Sequence, residues 1–174
     1  RSISEGKIEN NYFLMGNQPY LINLICKKLE EKLINKNNRE FDFRLLYGKE
    51  TSVTEILETV KSYPMSGEKQ LVIVREAQYL NKDIGLLMPY LENSLSQTVL
   101  VICYVNKTLD LKSKTYEPIH KNSKLIKFKP LYESDVYKWI SLEAKKINLN
   151  LDPKSIMLIS SNIGLDLEMI DKAI

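Results

Sequence analysis

The chain has 174 residues, 44% of them apolar and 27% charged. Those values sit close to the roughly 45–50% and 25% of ordinary globular domains, which excludes a disordered or fibrous chain and leaves room for one domain or one and a half. The longest apolar runs, Leu71 to Val74 and Val99 to Val105, fall far short of the roughly 20 residues a membrane helix needs. The start, Arg1 to Asn10, is polar and shows no apolar signal region, so a cytoplasmic protein without membrane partners is expected.

The net charge of +3 is too small to mark a nucleic-acid binder, but it is unevenly spread. Between Asn106 and Lys129 seven lysines (107, 112, 114, 121, 124, 127 and 129) face only Asp110 and Glu117, a local balance of +5; the remainder holds 18 basic and 20 acidic residues. This segment reads as a solvated lysine-rich surface, with a basic nucleic-acid-binding face as the competing reading. Cys26 and Cys103 have neither a Cys-x-x-Cys partner nor a histidine neighbour and read as small buried hydrophobes. His120 is the one histidine, which excludes a histidine-based metal cluster and reads as a surface residue. No metal and no cofactor are expected.

In chain order, the burst Asn11 to Met15 reads as a strand, stopped by Gly16-Asn17-Gln18-Pro19, with Pro19 suited to the first turn of a helix that runs to Ile34. Asn35 to Asn38 end it in polar turn residues. Phe41 to Tyr47 alternates like a strand, Gly48 turns the chain, and Thr51 or Ser52 can cap a helix reaching Val60. Gln70 to Val74 reads as a strand buried on both faces, as in parallel sheets covered by helices. Ile84 to Leu91 reads as helical with Pro89 marking a kink or early end, Thr98 to Tyr104 as a second buried strand, Leu109 to His120 as another helix and Leu125 to Phe128 as a last short strand. Five strands alternating with helices predict an α/β fold with a mostly parallel sheet and right-handed crossovers. After Lys129-Pro130 three helical patterns follow, Ser134 to Ile147, Pro153 to Ser160 and Asp166 to Ile174, with Asp152 before Pro153 as cap and first-turn pair. The pattern is still helical at Ile174, so a fragment of a longer protein is expected.

A strand, a glycine-containing turn and a helix opening an α/β domain is where a phosphate-binding loop sits, because backbone amides and a helix N-terminus stabilise phosphate. The turn here, Gly16-Asn17-Gln18-Pro19, has no second glycine, no lysine for the β and γ phosphates and no Ser or Thr for Mg²⁺, and Pro19 removes a donor. The strand Leu71 to Val74 stands where a Walker B strand would, yet Arg75-Glu76 follows it instead of an acidic metal-holding pair. Hydrolysis of ATP is therefore not expected.

Four stretches, Tyr12-Phe-Leu-Met-Gly-Asn-Gln-Pro-Tyr20, Tyr47-Gly-Lys49, Tyr63-Pro-Met-Ser-Gly-Glu-Lys-Gln-Leu-Val-Ile-Val-Arg-Glu-Ala-Gln78 and Gly164-Leu-Asp-Leu-Glu-Met-Ile170, together resemble the delta subunit of the bacterial DNA polymerase III clamp loader, a AAA+ relative. The resemblance implies a AAA+-like domain over residues 1–129 with a degenerate P-loop, a helical lid over 130–174 and a C-terminal collar domain absent from this chain. It further implies a subunit that is not catalytic by itself but belongs to a DNA-directed DNA polymerase holoenzyme, a nucleotidyltransferase. Such a subunit binds and opens the sliding clamp (beta subunit) for DNA replication, assembles with gamma/tau and delta prime subunits, and touches DNA weakly and indirectly. By the same resemblance Asn106 falls at the sensor 1 place, where it reads as a turn residue, and Glu168 stands where the lid of an active ATPase carries an arginine.

The family presents large apolar residues to the clamp from the end of the helix before the third strand, which here matches Ser62-Tyr63-Pro64-Met65. The residues support this on their own terms: a Tyr-Pro-Met tip outside helix and strand periodicity, flanked by Ser, Gly and charge, forms a compact anchor of the kind that fills a pocket. The competing reading folds Tyr63 and Met65 back onto the core. The alternatives for the whole chain are a P-loop-like hydrolase or kinase with an atypical loop, and a nucleic-acid binder working through the lysine segment.

Overall fold

The computed structural model describes residues 8–65 and 67–174, apart from the side chains of Asn81 and Lys82; the polar start through Lys7 and Ser66 lie outside the described residues. The strands are β1 (Asn11–Gly16), β2 (Phe43–Tyr47), β3 (Gln70–Arg75), β4 (Thr98–Val105) and β5 (Lys124–Phe128), in the order β2-β3-β4-β1-β5 with every pairing parallel. Between them run α1 (Pro19–Leu33), α2 (Arg39–Asp42), α3 (Val53–Lys61), α4 (Met88–Glu92) and α5 (Glu117–Asn122), with 3-10 turns over Lys36–Asn38, Ala77–Leu87 and Lys114–Tyr116. Three helices follow, α6 (Glu133–Lys146), α7 (Pro153–Ile163) and α8 (Leu167–Ala173). The chain divides into two compact units, one ending at Phe128 and the other spanning Lys129–Ile174.

The sheet has two buried faces, and residue parity assigns each strand's side chains to them. Phe13, Met15, Val72, Val74, Leu100, Ile102 and Tyr104 point to the face covered by Val53, Ile56 and Val60 of α3, Leu80, Ile84 and Leu87 of the long 3-10 segment, and Ile119 of α5. Tyr12, Leu14, Leu71, Ile73, Val99, Val101 and Cys103 point to the other, under Ile22, Cys26 and Leu29 of α1. Each fully buried Leu, Ile or Val contributes about 1.5–3 kcal/mol, so the three central strands supply most of what holds this unit together. The Phe13 and Tyr104 rings add a tilted contact at 5.4 Å between centroids. The second unit closes on Val136, Ile140 and Ala144 of α6 with Leu167 and Ile170 of α8.

Three local expectations change. Phe41 and Asp42 leave the alternating pattern, because the chain makes the short helix α2 there: Phe41 is half exposed while Asp42 is buried, the reverse of what hydropathy predicts. Pro89 neither kinks nor ends a helix; it lies in the first turn of α4, where its missing N–H costs nothing. The helix expected over 109–120 forms only from Glu117, because Asp110 and Ser113 use their side chains to accept the N–H groups of Lys112 (3.1 Å) and Thr115 (3.3 Å), which holds this stretch in turns. The expected caps form: Ser52 accepts from Glu55 N–H at 3.2 Å, and Asp152 from Lys154 and Ser155 at 2.8 and 3.0 Å.

Gly16 closes β1 against β5. Its φ of +126° and a would-be Cβ only 2.0 Å from the Phe128 carbonyl oxygen leave no room for any side chain. Gly16→Ala is expected to lower stability by about 3 kcal/mol or more, from left-handed strain and the clash together, read as a drop in the urea midpoint.

Candidate functional site

In a parallel sheet all strands end at one edge and begin at the other, and the two candidate regions fall on opposite edges. At the C-terminal edge, β1 passes into α1 through only Asn17 and Gln18. The Asn17 N–H is committed to the Phe128 carbonyl at 3.3 Å, and Pro19 opens the helix without a donor. Next to this turn Asn106 takes a left-handed φ of +57° and donates its N–H to Gly16 O at 3.0 Å, extending the β1–β4 pairing instead of facing a phosphate. At the end of β3, Glu76 also has a left-handed backbone, with φ +51°, and its carboxylate pairs with Lys49 at 3.4 Å while the Lys49 ammonium lies 4.4 Å from the centre of the Tyr79 ring. Glu168, in the first turn of α8, bonds Lys172 at 2.8 Å. A two-residue turn with one amide already spent, no lysine and no hydroxyl does not fit a nucleoside triphosphate and its Mg²⁺.

At the N-terminal edge, α3 ends at Lys61 and the chain projects the Ser62-Tyr63-Pro64-Met65 tip before entering β3 at Gln70. Tyr63 is 75% exposed and Met65 73%, so neither folds back onto the core. The stem beneath them is held hard. Ser62 N–H caps α3 on the Glu58 and Thr59 carbonyls, both at 3.2 Å, and Ser62 Oγ donates to Thr59 O at 2.7 Å. Buried Gln70 donates its Nε2 to Ser62 O at 2.6 Å and to Thr98 Oγ1 at 2.9 Å; Thr98 in turn donates to Val60 O at 3.0 Å. At the distal end Met65 N–H donates to Asp42 Oδ1 at 2.8 Å. The result is two large apolar side chains in solvent on a stem whose main chain is tied to β3, β4 and α2.

Asp42, Gln70 and Thr98 are the residues that sequence reasoning missed. The available signal was polar residues in positions that pattern as strand, Asp42 within the alternation Phe41 to Tyr47 and Gln70 and Thr98 heading apolar runs. Cys26 and Cys103 are buried with their sulfurs 3.6 Å apart; the contact and the nearby Arg75 guanidinium favour the Cys26 thiolate, whereas hydrogen bonding to Cys26 and burial push the Cys103 thiol up. Burial pushes the Tyr104 phenol up to about 12. All seven lysines of the basic segment are exposed, Lys121 pairs with Glu117 at 2.8 Å, and Lys124 and Lys127 lie on the edge strand β5, where charge deters pairing with another sheet.

The strand order, the two-faced parallel sheet and the helical second unit define a AAA+-like α/β fold whose β1–α1 turn carries neither the lysine nor the hydroxyl of a phosphate loop. The RuvB Holliday junction branch migration motor of Thermotoga maritima shares this fold with a TM-score of 0.56 at 10% identity, over 98% of this chain and 55% of that one. A profile described as DNA polymerase III, delta subunit matches residues 12–129, and the chain belongs to that family, whose members are accessory subunits of the polymerase. It is similar to DNA polymerase III subunit delta of Bacillus subtilis, with 18% identity over 99% of this chain and 53% of the relative. The solved structure of the Bacillus subtilis DNA clamp loader delta protein superposes with a TM-score of 0.85 at 19% identity, again over 99% of this chain and 53% of that one. The chain thus spans about half the length of these relatives. Neither the hydrolase reading nor the nucleic-acid-binder reading is favoured by these comparisons. No helix among the described residues is long and apolar enough to cross a membrane.

Gln70→Ala is expected to destabilise the first unit by about 2 kcal/mol, because it strips the Ser62 carbonyl and Thr98 hydroxyl of a buried partner; urea unfolding reads this directly. Incubated with ATP and Mg²⁺, the protein is expected to show no turnover. Hydrolysis that rises with Mg²⁺ and survives repurification would contradict the loss of loop chemistry.

Proposed function

We propose that this chain is the clamp-binding part of a clamp-loader delta subunit, and that it acts by holding and opening the ring-shaped sliding clamp for loading onto primed DNA. The observation that carries the proposal is the Tyr63-Pro64-Met65 tip: two large apolar side chains in solvent on a hydrogen-bonded stem, in a member of the delta family. Apolar residues of this size are hot-spot material when they enter a pocket. Pro64 restricts the backbone between them, so little conformational freedom is lost on docking. Ser62 serves as the fixed junction where α3 ends and the tip begins, its N–H, hydroxyl and carbonyl all hydrogen-bonded.

In this reading residues 1–129 bind the clamp, residues 130–174 form the lid, and the chain is not catalytic by itself. The Gly16-Asn17-Gln18-Pro19 turn is a structural remnant of a nucleotide loop. The work of ring opening comes from binding energy at the tip and from nucleotide bound by the gamma/tau neighbours, with delta prime completing the assembly. A ligand or partner shifts a conformational equilibrium only by its differential affinity for the two states, so delta must grip the open clamp more tightly than the closed one. DNA contact is weak and indirect, and the protein works in the cytoplasm.

Binding to the cognate sliding clamp, measured by calorimetry or surface plasmon resonance, tests the proposal. Tyr63→Ala with Met65→Ala is expected to cost about 2 kcal/mol or more of clamp affinity while the melting temperature hardly moves, because both side chains are solvent-exposed in the free chain. Unchanged clamp binding together with a large fall in melting temperature would make these residues packing and not contacts.

A further inference from the structure

We infer that Asp42 is a positioning residue for clamp engagement: its buried carboxylate, at the end of α2, fixes the conformation in which the Tyr63–Met65 tip is presented. This rests on the reading of that tip as the clamp contact. Asp42 is only 2% exposed, and its Oδ1 accepts the Met65 N–H at 2.8 Å. The second carboxylate oxygen faces Gly67, where a Cβ would lie 2.8 Å away, so the absence of a side chain at 67 lets the loop close over the carboxylate. Two separate points of the loop, one on each side of position 66, therefore lie against the same buried carboxyl group.

The physical effect is preorganisation. Met65 has its side chain 73% exposed and its main chain pinned inward, a combination that an untethered surface loop does not hold. A carboxylate out of water is costly unless donors meet it, and here the tip supplies one of those donors. Holding the tip at its distal end complements the Gln70 contact to Ser62 at its base. Without Asp42 the base stays anchored through Gln70, but the anchors have to be ordered by the clamp itself, and that ordering subtracts from affinity.

The experiment combines hydrogen exchange of the Met65 amide with affinity for the cognate sliding clamp, measured on the wild-type chain and on Asp42→Ala, Asp42→Asn, Gly67→Ala and Tyr63→Ala/Met65→Ala, alone and with Asp42→Ala. Asp42→Ala is expected to free the Met65 amide to exchange while amides of β3 and β4 keep their protection, and to weaken clamp binding about tenfold, the scale of one hydrogen bond to a charged acceptor. Asp42→Asn keeps an acceptor oxygen and recovers most of the affinity. Gly67→Ala, which crowds the carboxylate without removing it, shifts both readouts the same way. With Tyr63 and Met65 already truncated, Asp42→Ala changes affinity by less than about twofold, since a positioning residue has nothing left to position. The role is overturned if Asp42→Ala leaves Met65 exchange and clamp affinity at wild-type values, or if it weakens binding equally with and without the tip side chains. Should Asp42→Ala lose the protection of β3 and β4, Gly67→Ala decides by the same criteria. Wild-type affinity in Tyr63→Ala/Met65→Ala would instead sink the tip assignment itself, whatever Asp42 does to the Met65 amide.

Discussion

All five strands run the same way, and the three central ones are buried on both faces, so they can meet a partner only at their ends. The side chains of β1, β3 and β4 are almost wholly consumed by the two cores, one parity against α3 and the 3-10 segment, the other against α1. What β1, β3 and β4 themselves can offer a partner lies at their ends and in the turns that join them to the helices. The C-terminal edge is where α/β proteins commonly place a ligand, in the crevice outside the carboxyl ends of the strands. Here that edge is closed by its own backbone, through Asn17 to Phe128 and Asn106 to Gly16.

The N-terminal edge shows the opposite investment. A buried polar network starts at the first residue of β3 and ties the end of α3 to the first residue of β4 through Gln70, Thr98 and Val60. In a low-dielectric core such a network gains specificity only when every member is satisfied, and these members serve one another. Together with Asp42 it makes a rigid socket from which two apolar side chains project. The two edges are separated by the length of a strand, about 20 Å for six residues, so a contact at the tip is remote from the β1–α1 turn.

The likeness to the Bacillus subtilis clamp loader delta protein, with a TM-score of 0.85 at 19% identity, has a plain physical basis. Cores accept extensive apolar substitution if volume and patterning are kept, so a parallel sheet can retain its path while most of its residues change. What cannot drift as freely are positions with a geometric demand. Gly16 is one, since its Cβ would overlap the Phe128 carbonyl, and Gly48 is another, with Glu76 O 2.4 Å from a would-be Cβ.

Short continuous apolar runs and helical spacing were legible in the amino-acid sequence because they are local: the strands around Phe13, Ile73 and Val101, helix α1, and the caps Ser52 and Asp152 follow from neighbours within a few residues. The missing lysine and hydroxyl of the phosphate turn were equally legible, since residue identity alone decides them. Tertiary structure alone decided that Tyr63 and Met65 stand in solvent and that Asp42 turns inward from an apparently alternating strand. The reason is range. Asp42 and Met65 are 23 positions apart, and Gln70 and Thr98 28, so their hydrogen bonds exist only once the sheet has brought those segments together, and no local pattern encodes which polar residue will meet which.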